Sequence, residues 1–142
     1  MTAAGTITGP QTLAVVARYR AVPTANWPVA ALSSTVTGAI LRRTDGLMNS
    51  YVTSVLNLNV NPSSDWHVFL ATFNGTDSTI RIDDTEALGN TGPSFNSTVL
   101  NTGHGDTGFA KIDVADILVW NRALTLTERN KIVTDLKAAY GI

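Results

Sequence analysis

Residues 66–82 read WHVFLATFNGTDSTIRI, and this stretch decides the fold. Trp66–Phe73 is an apolar, aromatic run with the length of one buried strand. Asn74–Asp77 contains the Asn-Gly pair that is typical of a hairpin turn, and Thr79–Ile82 is predicted as the returning strand. A hairpin at this position makes a β-sheet the framework of the chain.

Short apolar runs separated by turn residues continue on both sides of this hairpin. Tyr51–Val60 alternates with period two, which indicates a half-buried strand that Asn61–Asp65 ends. Residues 83–95 are expected to be mostly loop. The other predicted strands are Gln11–Arg20, Pro28–Leu32, Ala39–Arg43, Ser97–Asn101 and Lys111–Trp120. A spacing of about ten residues per strand predicts an all-β fold, an antiparallel jelly-roll β-sandwich.

One segment near the C-terminus is predicted to be helical. Thr125 and Glu128 have the spacing of a capping box, in which each residue satisfies a free backbone group of the other. An apolar stripe follows at helical spacing, and Gly141 is suited to end the helix in a left-handed conformation. We therefore expect one α-helix over about residues 126–140, packed on the sandwich, within a single domain spanning residues 1–142.

The composition excludes several classes of protein. Ten Lys and Arg balance eleven Asp and Glu, so no basic surface for nucleic acid or an anionic membrane is expected. The absence of Cys excludes disulfide frameworks and cysteine-based metal centres. No apolar run reaches the ~18 residues of a membrane span. Charged residues make up only 15% of the chain, while Thr and Asn number 20 and 11, so the surface is expected to be polar but thinly charged.

Two motifs carry a family resemblance. Residues 66–75 (WHVFLATFNG) followed by Ile80–Asp84 resemble the hairpin of concanavalin A-like lectin/glucanase domains, in particular the laminin-G-like and pentraxin-like branch. Residues 114–124 (VADILVWNRAL), with Glu128 and the closing LKAAYGI of residues 136–142, are similar to the C-terminal signature of that branch. The resemblance covers about the C-terminal half of the chain and implies a concanavalin A-like jelly roll.

The same resemblance bears on assembly. Domains of this branch usually carry an extra strand before the segment equivalent to Gln11–Arg20, and here only about ten residues precede it. We therefore expect an incompletely covered sheet edge, and open edges tend to pair with other strands. The predicted partners are further copies of the chain, in a homo-oligomer or a larger viral assembly.

A glycan site needs an aromatic side chain for the apolar face of a sugar and polar side chains for its hydroxyls. Trp66 and Trp120 lie in strong strands and are expected in the core. The candidate ligand-binding residues are Trp27, Asn49, Tyr51, Asn101, His104 and Asp106.

Calcium is the most plausible metal, because relatives of this branch bind it through loop carboxylates and carbonyls. The candidates are Asp77, Asp83 and Asp106, although none belongs to a D-x-D-x-D cluster. With only two His and no Cys, zinc is not expected. We expect no cofactor, with calcium as the open alternative.

Two motifs associated with catalysis lack their context. Gly103–Gly108 spells G-x-G-x-x-G, but a strand rather than a helix is predicted to follow it, so no dinucleotide site is expected. Glucanases of this superfamily carry E-x-D-x-x-E on one strand. The nearest match, Lys111–Asp116, has a cation at the first position, so no catalytic residues are assigned.

The sequence therefore predicts a non-catalytic lectin-like module. Residues 1–10 carry no secretion signal, which favours a phage-type virion component, either decorating a capsid or associated with a tail, that contacts neighbouring subunits or a host-surface glycan. The alternative is a carbohydrate-binding or adhesion module cut from a larger secreted protein. A glycoside hydrolase is the third hypothesis. The expected location is a virion or the extracellular space.

Overall fold

The computed structural model describes residues 9–21, 26–33, 37–93, 95–97, 99–105 and 108–142. It confirms an all-β sandwich with a C-terminal helix. The helix α1 spans Leu126–Tyr140. The strands are β1 Gln11–Tyr19, β2 Trp27–Ala31, β3 Ala39–Arg42, β4 Met48–Tyr51, β5 Val55–Leu58, β6 His67–Phe73, β7 Ser78–Ile82, β8 Thr85–Gly89, β9 Asn101–Thr102, β10 His104–Gly105, β11 Gly108–Phe109 and β12 Ile112–Trp120.

Two antiparallel sheets of five strands form the sandwich. The first sheet has the order β12-β1-β6-β7-β8, and the second has the order β5-β4-β3-β2-β9. Strand β1 pairs with β12 on one side and with β6 on the other. The edges of the first sheet are therefore β12 and β8. Strand β1, which was expected to lie next to an uncovered edge, lies inside the sheet.

The main core lies between the two sheets. Side chains alternate along each strand, so every second residue points into this space. Leu13, Val15, Phe69 and Phe73 come from the first sheet, and Ile40 comes from the second. All five are almost fully buried. The predicted hairpin strand β6 supplies two of the largest buried side chains, as its apolar run indicates.

The helix covers the outer face of the first sheet. Val133 and Leu136 pack on Val16, Val68 and Leu70 of the strands beneath. The predicted capping box is present, because the Glu128 amide donates to Thr125 Oγ1 and the Thr125 amide donates to the Glu128 carboxylate. Gly141 ends the helix in the left-handed conformation, as expected. Trp66 and Trp120 are half-buried at the margin of this second cluster.

The structure differs from the predicted strands at several places. Of the described residues in the predicted strand Ser97–Asn101, only Asn101 belongs to a strand, β9. The run Tyr51–Val60 is divided between β4 and β5. Thr53 and Ser54 lie in the connection between these strands, and their amides donate to the carbonyl of Thr91 instead of to a neighbouring strand. The stretch expected as loop contains β8, which pairs with β7. The predicted hairpin is present, since β6 pairs with β7, and Gly75–Asp77 forms a turn of 3₁₀-helix between them. Among the described residues, no helix has the length and apolar character needed to cross a membrane.

Candidate binding cleft at one end of the sandwich

A cleft of about 410 Å³ opens at one end of the sandwich. We call it the Arg42 cleft. Its volume lies within the range of small-molecule sites in proteins. The lining residues are Tyr19, Arg20, Ala21, Arg42, Asn61, Pro62, Ser63 and Ser64.

Three chain segments meet around the Arg42 cleft. Strand β1 ends there at Tyr19, strand β3 ends there at Arg42, and the connection from β5 to β6 contributes residues 61–64. The turn after β3 contains Gly46, whose φ of +85° suits glycine. A Cβ at this position would lie 2.9 Å from the Asn61 side chain, so the glycine allows the turn and the connection to pack together.

Arg42 is buried at the base of the cleft, with 4% of its surface exposed. Its Nε donates to the carbonyl of Gly46 (3.3 Å), and its Nη2 donates to Asn61 Oδ1 (2.6 Å). The guanidinium carbon lies 4.8 Å from the centre of the Tyr19 ring, a cation–π distance. Burial lowers the pKa of Arg42, and the neighbouring phenol acts in the opposite direction. Arginine remains charged under such conditions.

Tyr19 forms the wall behind Arg42. Only 2% of its surface is exposed, so its ring cannot stack on a sugar. Its hydroxyl donates to the backbone carbonyl of Trp27 (3.3 Å). Burial raises the pKa of the phenol strongly, although Arg42 opposes this in part. The cleft therefore presents polar groups and one cation rather than an aromatic platform.

A chain of hydrogen bonds lies along the rim. Ser63 Oγ is 3.1 Å from His67 Nε2, and His67 Nδ1 is 2.7 Å from Asp83 Oδ2. The connectivity resembles that of a hydrolytic triad. However, the Ser63 hydroxyl lies closer to Asp65 Oδ2 (2.8 Å), which competes with His67 for its single proton. All three bonds form together only when His67 carries both ring protons, and in that state it cannot act as a general base.

Asp83 is held firmly at the end of this chain. Its φ of 49° is left-handed, which is uncommon for a residue other than glycine. Its Oδ1 accepts the amide of Val68 at 2.9 Å. Burial raises the pKa of the Asp83 carboxyl, but the bonds from His67 and Val68 lower it by more, so the pKa lies below its usual range.

The structure places four of the predicted ligand residues on three strands of the second sheet. Asn49 and Tyr51 lie on β4 and Asn101 lies on β9, within the second sheet. The side chain of Asn49 is buried, and that of Asn101 donates to the carbonyl of Ser33 (2.7 Å), so both are turned to the protein. Trp27 is half-buried and is the cross-strand partner of Arg42, which places its backbone beside the cleft.

Two of the predicted ligand residues lie wholly or partly outside the described part of the structure. The backbone of His104 belongs to β10, but its side chain lies outside the described part of the structure. Asp106 lies outside the described residues altogether.

The predicted calcium ligands are also dispersed. Asp77 precedes β7 and Asp83 follows it, so a strand of five residues, about 16 Å long, separates them. Asp83 is engaged by His67 and Val68. Among the described residues, no group of three His, Asp or Glu side chains is placed to hold a metal ion. The structure therefore does not bring Asp77 and Asp83 into one site.

The motifs weighed for catalysis have structural roles. Asp113 pairs with both Arg18 (2.8 Å) and Arg20 (2.7 Å), whose hydrogen bonds lower the pKa of its carboxyl. Asp116 accepts a hydrogen bond from the hydroxyl of Tyr140 (3.2 Å) in the helix. The glycine-rich stretch is followed by β12 rather than a helix, as expected.

Sequence reasoning missed Arg42, although a signal was present. Ile40 is a core residue of β3, and residues two apart on a strand face the same side. Arg42 therefore occupies an inward position, where an arginine is unusual unless it is paired. The sequence pattern that indicates the cleft is a charged residue two positions after a core residue on a short strand, so that both side chains face the core.

Comparison with known proteins shows the fold but no family. No protein-family model matches the chain, and a search of curated proteins gives no match either. Among solved structures, Trypanosoma rangeli sialidase is similar, with a TM-score of 0.70 and 13% identity over 91% of this chain and 23% of the sialidase. The binding domain of Paraclostridial Mosquitocidal Protein 1 is also similar, with a TM-score of 0.65 and 11% identity over 92% of this chain and 38% of that chain.

A third similar structure is described as a receptor binding domain, with a TM-score of 0.60 and 10% identity over 90% of this chain and 35% of that chain. The chain thus spans less than two-fifths of each of these three proteins. At these identities the likeness shows a shared β-sandwich. The more specific assignment to the laminin-G-like branch stays a prediction.

Proposed function

We propose that this domain is a non-catalytic, lectin-like module that binds a glycan in the Arg42 cleft. The observation that carries the proposal is a cleft of about 410 Å³ with the guanidinium of Arg42 at its base. The side chains of Asn61, Ser63 and Ser64 line its mouth. Hydroxyl, amide and guanidinium groups suit a ligand that is covered with hydroxyls.

The similar structures support a binding role. Two of them are named as a binding domain and a receptor binding domain. The other similar protein is Trypanosoma rangeli sialidase, an enzyme whose structure has been solved with sialic acid bound. Because the chain matches 23% of the sialidase, the activity of that enzyme is not carried over. Sialic acid is nevertheless a reasonable member of any glycan panel tested with this domain.

The absence of catalysis is part of the proposal. The Ser63 hydroxyl lies closer to Asp65 Oδ2 (2.8 Å) than to His67 Nε2 (3.1 Å), which favours Asp65 as the acceptor of its one proton. Asp113 pairs with Arg20 and Arg18, whose hydrogen bonds lower the pKa of its carboxyl and make it a weaker base. Binding without turnover is the function these contacts favour.

The biological setting stays a prediction. A phage-type virion component and an adhesion module of a larger secreted protein would both use a lectin-like domain to contact a surface glycan. A virion or extracellular location follows from either. The glycan itself is therefore the first thing to identify.

A glycan array probed with the labelled chain tests the proposal. We expect binding to a restricted group of glycans, and we expect mass spectrometry to recover those glycans unchanged. The Ser64→Trp variant, which fills the cleft, is expected to abolish binding. Ser54→Trp is a matched control, because Ser54 is exposed in the connection between β4 and β5, at the other end of these strands.

Two results would contradict the proposal. Recovery of cleaved glycans would assign an enzyme activity instead. Binding that persists in Ser64→Trp but is lost in Asn101→Ala would move the site to the second sheet, where several of the ligand residues were predicted from sequence.

A further inference from the structure

We infer that the Arg42 cleft selects an acidic sugar, whose carboxylate pairs with the guanidinium of Arg42. The inference rests on the proposed glycan-binding function and specifies the chemical class of the ligand. It rests on the buried guanidinium of Arg42, which has no carboxylate partner among the described residues.

Arg42 is the exception among the arginines of this chain. The sequence contains seven, all within the described residues. Six lie within ion-pair distance of a carboxylate, namely Arg18, Arg20, Arg43, Arg81, Arg122 and Arg129. Arg42 forms no ion pair with any described residue, although it is the most deeply buried of the seven. Among the described residues, every arginine has a carboxylate partner except Arg42 in the cleft.

The other buried arginines show what Arg42 lacks. Arg129 is 8% exposed, and Glu86 accepts two hydrogen bonds from it at 2.8 and 2.9 Å. Arg81 is 7% exposed and has two carboxylates within 4.0 Å. A buried charge without a partner is costly, so proteins normally pair it. A ligand carboxylate would give Arg42 the partner that its two counterparts already have.

Arg42 also has hydrogen-bond donors to spare. A guanidinium carries five N–H groups. One donates to Gly46 and one to Asn61, and the remaining three have no acceptor among the described residues. Contact with the Tyr19 ring and these two bonds hold the group in place, so it is preorganised for a ligand. Carboxylates match the planar guanidinium through two parallel hydrogen bonds.

The rest of the lining favours a sugar that carries a single negative charge. Arg20 also lines the cleft, but Asp113 already pairs with it. None of the described residues lining the cleft is acidic. Ser64 brings a hydroxyl group to the cleft, where it can bind a hydroxyl of the same sugar.

The test compares two sugars that differ only at C6, which is a carboxylate in one and a hydroxymethyl group in the other. Isotope-labelled protein is titrated with methyl glucuronide and with methyl glucoside, and binding is followed by NMR chemical shifts. A charge-assisted bond to Arg42 is expected to make the acidic sugar bind about 10-fold or more tightly. Methyl glucoside 6-sulfate forms a third arm, and tighter binding of the sulfate ester would overturn the assignment to a carboxylate.

The Asn61→Asp variant makes the test specific. It places a carboxylate where Asn61 Oδ1 now lies 2.6 Å from Arg42 Nη2, so the protein supplies its own counter-ion. The preference for the acidic sugar is expected to fall about 10-fold, while the melting temperature stays equal or rises, which separates lost binding from misfolding. Asn59→Asp introduces the same charge at an exposed position of the same connection and is expected to keep the preference.

The outcomes separate this inference from the proposed function. Equal binding of the neutral and acidic sugars in the natural chain would overturn the inference and leave the lectin role standing. Failure of every glycan to bind would overturn both. An unchanged preference in Asn61→Asp would show that the charge of Arg42 is not what selects the ligand.

Discussion

Arg42 and Arg43 are adjacent in sequence, yet the fold gives them opposite environments. Arg43 is on the surface and pairs with Asp45 at 3.0 Å, while Arg42 is buried and has no carboxylate partner among the described residues. Successive residues of a strand point to opposite faces, so one residue of register decides which arginine is solvated. The adjacent pair is visible in the sequence, but the lack of a counter-ion at one member is a property of the packed structure.

Asp83 allows a prediction about pH at the scale of one residue. Its carboxylate holds His67 and the Val68 amide, so Asp83→Asn is expected to cost about 1–2 kcal/mol of unfolding free energy at neutral pH. Because the folded pKa of Asp83 is depressed, this stabilisation is complete above the unfolded pKa, about 3.9, and is lost as the pH falls through the lower folded value. The difference between the two proteins should therefore shrink in acid.

Urea unfolding at neutral pH and at about pH 3 measures this difference. Asp77→Asn is the control, because Asp77 is exposed in the 3₁₀ turn and should change stability little at either pH. A loss in Asp83→Asn that is equally large in acid would argue against the assigned role of the carboxylate.

At the scale of elements, local signals predicted α1 well and β8 poorly. The capping box and the terminal glycine of α1 act over a few residues, so they can be read directly from the sequence. Strand β8 is an edge strand with little apolar character, and it forms because it pairs with β7. The division of residues 51–60 likewise depends on the carbonyl of Thr91, which is distant in sequence.

The attachment of α1 to the sheet provides a second prediction. Glu86 on β8 accepts two hydrogen bonds from Arg129, a buried residue of α1 itself. Glu86→Ala would leave that guanidinium without its main partner, and we expect a loss of about 3 kcal/mol in unfolding free energy. Thermal unfolding followed by circular dichroism measures the effect.

Lys131→Ala is the matched control for this pair. Lys131 and Asp135 form an exposed pair one helical turn apart, and such pairs contribute little to stability. If Glu86→Ala proves no more harmful than Lys131→Ala, the ion pair does not anchor the helix.

At the scale of the whole molecule, the open edges of the sheets bear on assembly. Strand β12 is nine residues long and pairs only with β1 among the described residues, which leaves its other side open. Val114 and Val119 on this strand are each 36% exposed. Edges β5, β8 and β9 are shorter. A long edge with exposed apolar residues is the usual place for strands of two subunits to pair.

We therefore predict that the chain self-associates through β12. Sedimentation velocity at micromolar concentration should detect a dimer or a larger species, and Val114→Lys should shift it towards monomer by placing a charge at the edge. Val55→Lys, at the exposed edge strand β5, should leave the assembly intact. A natural chain that sediments as a monomer would remove this prediction without affecting the proposed glycan site.

The sequence by itself determined the fold class and the helix. Period-two alternation, turn residues and helix caps are local patterns, and they predicted a β-sandwich with a helix over the observed residues 126–140. The location of the cleft depended on the tertiary structure, because it requires the end of β1, the end of β3 and the connection after β5 to meet. The burial of an arginine and its pairing with a carboxylate depend on how these segments pack. They distinguish Arg42 from the six other arginines of the sequence.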